Sequence, residues 1–155
     1  MCRVPAWLET RFEGWAPNGP SIGRDRITGA AVHLKVATSL DAVRAIEREV
    51  AVAGRVSHPA LATLLDHGYI GVARAAAFEW IDPAPLASDA AIERVAIDVL
   101  RALLALHAAG FVHGDLKPEH VLVAHDGTRL IDLGLAVLIG DAPAGGTKDF
   151  LAPEY

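Results

Sequence analysis

Residues 113–123 read HGDLKPEHVLV and residues 131–134 read IDLG. Together they offer two carboxylates, Asp115 and Asp132, one ammonium, Lys117, and one imidazole, His120. Each aspartate follows a short apolar run, FVH or LI, of the kind that ends a strand and holds a side chain rigidly at a cleft. Phosphoryl transfer needs such a set. One carboxylate must orient an attacking hydroxyl and take its proton, a second must hold a divalent cation on the phosphates, and cations must offset the charge of the group in flight. Lys117 is close enough to Asp115 in sequence to reach the same phosphate, and Gly134 permits a sharp change of direction after Asp132. Taken singly, either aspartate could serve as a strand-end cap; the argument for chemistry rests on the set.

The elements that must position these residues follow from periodicity and punctuation. Residues 1–23 are rich in Trp, Pro and Gly and read as irregular or weakly stranded. DRITG (25–29) reads as a hairpin turn, and the alternating AAVHLKVA (30–37) as a strand carrying Lys35. Residues 39–56 read as a helix capped by Ser39 or Asp41, with Val43, Ile46, Val50 and Ala53 on one face and His58-Pro59 as its stop. Two strands follow at 61–65 and 71–80. The two prolines of 81–85 mark a linker. Beyond it, residues 89–109 read as a core helix ended by Gly110, with His107 a hydrogen-bonded structural histidine within it. Short strands FVH, VLVA, RLID and LAVLI come next, with a tight turn at His125-Asp126-Gly127 and a loop over 140–147.

The chain has 155 residues, one ordinary domain or two small lobes. With 52% hydrophobic and 21% charged residues it can build a core. A net charge of −5 argues against nucleic acid as a partner. The longest apolar stretch (95–112) is broken by Asp98 and Arg101, so no membrane span is expected. The single cysteine, Cys2, cannot form an internal disulfide, which points to a reducing, cytoplasmic setting.

HGDLKPEH, IDLG and GTKDFLAPE, in that order, resemble the catalytic loop, the Asp-Phe-Gly triplet and the Ala-Pro-Glu segment of eukaryotic-type Ser/Thr protein kinases, in the style of the bacterial members. VHLK (32–35), Glu49 ahead of the Ser57-His58-Pro59 turn, and FEWI (78–81) extend the resemblance to about residues 21–155. It implies an α+β, protein-kinase-like two-lobe fold. Residues 1–80 would form a β-rich N-lobe with one main helix, 81–88 a hinge, and 89–155 an incomplete, mainly helical C-lobe. The resemblance also implies roles. Asp115 would be the catalytic base and Lys117 would sit on the transferred phosphate. Asp132, with His120, would face the metal. Lys35 would bind the α- and β-phosphates and pair with Glu49. The backbone of Glu79 and Ile81 would bond adenine above Leu122, and Thr147 would tie the substrate loop to the catalytic loop. ATP and Mg²⁺ are the implied cofactors and a protein hydroxyl the implied substrate.

The sequence departs from that pattern in several places. His120 stands where the family has a metal-binding Asn, and imidazole suits Mn²⁺ or softer ions better than Mg²⁺. The glycines of the phosphate loop fall at Glu13, Trp15 and Asn18, with Gly14 and Gly19 wrongly spaced and Pro20 where a Val would cover adenine. His33 replaces a small residue at the base. Gly114 replaces the Arg that would clamp a phosphorylated loop, so no such phosphorylation is required. The sequence ends just after Glu154, whose partner in the family lies further on; a fragment, or completion of the C-lobe by a missing segment or partner, would follow, with an exposed apolar patch. A pseudokinase that keeps the fold as a nucleotide-binding or scaffold module is therefore the alternative reading. A small-molecule phosphotransferase, which shares His-Gly-Asp but lacks the Ala-Pro-Glu segment, is a third.

Overall fold

The computed structural model describes residues 7–16, 19–85 and 88–151. A short helix α1 (Trp7–Arg11) leads into a five-stranded antiparallel sheet: β1 (Phe12–Glu13), β2 (Gly19–Asp25), β3 (Ala31–Ala37), β4 (Leu64–Ile70) and β5 (Ala73–Glu79), in the order β1-β2-β3-β5-β4. Helix α2 (Leu40–Ala53) joins β3 to β4. The second lobe opens with the long helix α3 (Asp89–Ala108). Two small antiparallel two-stranded sheets follow: β6 (Phe111–Val112) pairs with the later β9 (Val137–Leu138), and between them β7 (Val121–Ala124) and β8 (Gly127–Leu130) form a hairpin.

Alternation along β3 sets the site. Val32, Leu34 and Val36 point to one face and His33 and Lys35 to the other. The first set joins Leu8, Phe12, Ala73, Ala75 and Ala77 in a cluster under α1. On the opposite face Ile46 and Val50 of α2 pack on Ala76 and Phe78. β5 is therefore buried on both sides from Ala73 to Phe78, and its alanines let both layers approach closely. Register places Lys35 opposite Ala76 and His33 opposite Phe78.

A second core ties the lobes together. Val52, Val56, Ala60 and Leu61 from the first half pack with Ala102 and Leu106 of α3 and with Phe111, Leu130, Leu133 and Ala136. Backbone bonds from Ala62 N–H to the Leu130 carbonyl (3.2 Å) and from Leu130 N–H to the Ala60 carbonyl (2.8 Å) stitch that contact. The linker is docked as well, the Ala84 N–H donating to the Val123 carbonyl (2.8 Å).

The structure corrects several sequence expectations. Within residues 1–23 the strands β1 and β2 agree with the weakly stranded reading, and only the helix at Trp7–Arg11 departs from it, because Leu8 and Phe12 give that segment an apolar face to bury and Arg11 pairs with Asp25 (3.0 Å) and Asp66 (3.4 Å). β4 and β5 each start about two to three residues later than expected; Leu61 makes only an isolated bridge to Leu130. Ser39 caps α2 by position without a side-chain bond. α3 is only partly a core helix: it buries Ala102 and Leu106 but leaves Ile97, Leu100 and Leu104 exposed. His107 is exposed on it rather than packed. The β6–β9 side adds further exposed apolar residues, Leu116, Leu138 and Ile139. No helix among the described residues is long and apolar enough to cross a membrane. Pro17, Asn18 and Glu154 lie outside the described residues.

Candidate active site

Lys35 leaves the cleft face of β3 and donates from Nζ to both carboxylate oxygens of Glu49 on α2, at 2.9 and 2.7 Å. Glu49 is buried, which pushes its carboxyl up; the Lys35 ammonium pulls the other way and is its compensating charge. Lys35 Nζ also stands 3.7 Å from Asp132 Oδ1, so one cation bridges a helix of the first lobe and a loop of the second. These side chains line a cavity of about 210 Å³ whose other walls include Phe78, Ile81 and Leu122.

Asp132 adopts a left-handed backbone, φ 63°, and is the one non-glycine with positive φ among the described residues. Aspartate tolerates this conformation better than most residues. Its own Oδ1 accepts the Gly134 N–H at 3.3 Å, which supports the turn. Arg48 of α2 donates to the Gly134 carbonyl at 3.1 Å and holds the same turn from the other side. Burial works to raise the Asp132 carboxyl; the Lys35 ammonium, aided by the Gly134 N–H, outweighs it and holds the group below its ordinary range.

Asp115 sits in a separate knot. The Thr147 hydroxyl and N–H both donate to Asp115 Oδ1, at 2.7 and 2.8 Å. Lys117 Nζ lies 2.8 Å from Asp115 Oδ2 and donates to Thr147 Oγ1 at 2.9 Å. Burial acts to raise this carboxyl, and the bonds from Lys117 and Thr147 overcome it, so it is held below the usual carboxylate range. Beneath it, His113 is almost wholly enclosed. Its Nε2–H donates to the Ile131 carbonyl (3.1 Å) and its Nδ1 accepts the Asp115 N–H (3.2 Å). A carbonyl can only accept, so the ring is fixed as the neutral Nε2–H tautomer, and burial lowers its pKa accordingly. Gly114 has φ 81°, and a side chain there would strike the Leu135 carbonyl, which explains glycine at that position.

The structure thus brings Lys35, Glu49, Ile81, Leu122 and Asp132 around one cavity, with Asp115, Lys117 and Thr147 in a second group. His120 spans the two, 2.8 Å from the Asp115 carbonyl and 3.5 Å from Asp132 Oδ2. Glu79 borders the cavity, but its N–H is committed to the Thr63 carbonyl (2.9 Å) and its carboxylate accepts the Thr63 N–H (2.8 Å). Three further residues position the site without a role that the sequence assigns them. His113 opens the HGDLKPEH motif and Arg48 precedes Glu49, and those places are their only sequence signals. Phe78, whose ring lies 5.4 Å from Lys35 Nζ, carried no signal beyond its place before Glu79.

The departures have visible consequences. Trp15 packs edge-on against Phe12 (6.2 Å, 88°) in the cluster on the far face of β3, so that side chain lies away from the cleft. His33 lines the cavity beside Lys35, and burial together with that ammonium lowers its pKa, so a neutral ring narrows the pocket. An ATP–metal complex is fitted in part by these residues. Lys35 offers a buried-side cation and Asp132 a partly exposed carboxylate, which suit phosphate and a hard cation. The imidazole of His120 does not suit Mg²⁺.

Residues 27–155 match the protein kinase domain family. A probable serine/threonine-protein kinase PknB of Lactococcus lactis is 30% identical over 130 residues, covering 73% of this chain and 21% of that protein. Serine/threonine-protein kinase PknD of Mycobacterium tuberculosis is 33% identical over 128 residues, 70% of this chain and 19% of its own. Serine/threonine-protein kinase AfsK of Streptomyces coelicolor is 41% identical over 70 residues, 41% of this chain and 9% of its own. The chain therefore spans about a fifth or less of the length of these relatives. With the motifs, the two-lobe architecture and the Lys35–Glu49–Asp132 cleft, this match shows that the chain belongs to the protein kinase domain family, with the bacterial serine/threonine kinases among its relatives.

Proposed function

We propose that the chain transfers the γ-phosphoryl group of a metal-bound ATP to a serine or threonine hydroxyl of a protein. The observation that carries this reading is the Lys35 ammonium, held by Glu49 and facing Asp132 across the cavity. Residues 1–80 act as the N-lobe, 81–88 as the hinge and 89–155 as the C-lobe portion. In this reading ATP supplies the transferable phosphoryl group. Lys35 neutralises its α- and β-phosphates, Asp132 holds the metal, and Ile81, Leu122 and the Glu79 backbone receive the base. Asp115 orients the hydroxyl and accepts its proton as the oxygen bonds to phosphorus and ADP departs. Lys117 offsets charge on the group in flight. Thr147, already on Asp115 Oδ1, positions the substrate segment, which leaves Oδ2 for the incoming hydroxyl once Lys117 turns to phosphate. The single cysteine suits work in the cytoplasm.

His33 in the base pocket and Trp15 on the far face of the sheet favour a second reading, a pseudokinase that keeps the fold as a binding or scaffold module. One experiment separates them. The unfolding midpoint is followed with ATP plus Mg²⁺ and with ATP plus Mn²⁺, and radiolabelled γ-phosphate transfer to a generic basic protein is measured in parallel. A metal-dependent rise in the midpoint, absent in Asp132→Asn, and transfer abolished in Asp115→Ala are expected. Transfer that survives Asp115→Ala would sink the proposal. No shift and no transfer on a cooperatively unfolding chain would establish the second reading.

A further inference from the structure

His120 is held at both its backbone and its ring. It closes a 3₁₀ turn, Pro118–His120, its carbonyl accepts the Ile131 N–H (2.9 Å), and that bond locks its backbone to the residue before Asp132. The ring is buried, tilted against His113 at 6.0 Å between centroids. Its Nδ1 lies 2.8 Å from the Asp115 main-chain carbonyl, which can only accept, so Nδ1 carries the hydrogen. In the neutral ring the Nε2 lone pair then points out, 3.5 Å from Asp132 Oδ2. Two electron-rich atoms face one another across a gap that a cation would fill. An imidazole fixed by an N–H bond to a backbone carbonyl is also the usual arrangement of a metal-ligating histidine.

The spacing selects among cations. With metal–ligand bonds of about 2.1 Å, donors this far apart subtend roughly 110°, near the tetrahedral angle. Mg²⁺ demands cis ligands near 90°, which would place donors only about 3 Å apart, and it prefers oxygen to nitrogen. From the His120–Asp132 pair we infer an N,O chelate for a late first-row divalent cation, Co²⁺ or Zn²⁺ ahead of Mn²⁺ and Mn²⁺ ahead of Mg²⁺. Among the described residues no third His, Cys, Asp or Glu completes a metal-binding group, so water and, in the proposed reaction, phosphate oxygens fill the remaining positions. This inference refines the metal in the proposed function and changes what the nucleotide must bring with it.

The test uses the whole chain without nucleotide. Co²⁺ is titrated in and followed by its visible absorption, Mg²⁺ is then added as competitor, and Zn²⁺ is added to a ¹⁵N-labelled sample to read the His120 ring nitrogens. One saturable Co²⁺ site is expected, with at least a tenfold excess of Mg²⁺ needed to displace it. Zn²⁺ should move the Nε2 resonance of His120 and not its Nδ1. His120→Asn and Asp132→Asn should each weaken Co²⁺ by about tenfold or more. Equal competition by Mg²⁺, an unmoved His120 Nε2, or undiminished Co²⁺ affinity in a folded His120→Asn chain would each overturn the inference. The wild-type nitrogen spectrum decides even if a variant does not fold. Phosphotransfer with Mg²⁺ but no Co²⁺ site would leave the proposed function standing alone; a Co²⁺ site in a chain that binds no nucleotide would do the reverse.

Discussion

At the scale of single residues, the site is built from charges that would be costly alone. Glu49 is buried with Lys35 as its compensating ammonium. Lys35→Ala should therefore destabilise the chain by about 3 kcal/mol, the cost of stranding a buried charge, and Lys35→Ala with Glu49→Gln should recover much of it. Urea unfolding of the two variants checks this. Thr147 donates two bonds to Asp115 Oδ1, one from its hydroxyl. Thr147→Val removes the hydroxyl bond and keeps the shape. The chain should lose about 1 kcal/mol, and the Asp115 carboxyl should rise toward its ordinary value of about 3.9. Carboxyl ¹³C titration would read the second effect, and an unmoved Asp115 would show that Lys117 and the remaining backbone N–H of residue 147 set it without the hydroxyl.

At the scale of elements, α3 separates apolar composition from burial. Leu106 is fully buried against the second-lobe core, while Leu104, two residues earlier, is 67% exposed. Leu106→Ala should cost 2 kcal/mol or more, roughly the low end for a core leucine, and Leu104→Ala should stay within about 0.5 kcal/mol. Denaturant midpoints of the pair test the assignment of faces. The N-terminal segment makes a similar point in reverse. Its tryptophans, prolines and glycines read as irregular or weakly stranded, with no helix, yet a helical turn forms at Trp7–Arg11 and Leu8, Phe12 and Trp15 cover one face of the sheet. Burial available only in the assembled sheet outweighed the local propensities there.

For the whole molecule, titratable groups set the direction of the pH response. Asp25, Asp115 and Asp132 all lie below their ordinary values: Asp25 through its bond with Arg11, the other two through cations and hydrogen bonds that overcome burial. A depressed carboxyl stabilises the fold above its unfolded value and loses that contribution as the pH falls through the folded one. His33 and His113 are lowered by burial, so their contribution starts to fall below about pH 6.5. Glu49, raised by burial, acts in the opposite sense and partly offsets the loss. Stability should therefore decline from near neutrality, and most steeply below about pH 4. Thermal midpoints across pH 3–8 check this; a midpoint that held constant to pH 4 would show that the gain from Glu49 matches the loss from the histidines. Because the second core contains Val52 and Leu61 as well as Leu106 and Leu130, both lobes should unfold in one transition.

The sequence by itself determined the family, because the chemistry of HGDLKPEH, IDLG and Lys35 depends on residue types in a fixed order, and order is what a sequence records. It also carried the alternation of β3 and the span of α2 to within a few residues, since both follow from local periodicity. Only the tertiary structure decided which atoms face one another. Lys35, Glu49 and Asp132 come from a strand, a helix and a loop of different lobes, and no local rule sets their separations. Likewise His120 was legible as a departure from a metal-binding asparagine. That its Nδ1 is spent on the Asp115 carbonyl and its Nε2 faces Asp132 depends on the side-chain packing of the folded chain, which brings the catalytic-loop and Asp132 turns side by side.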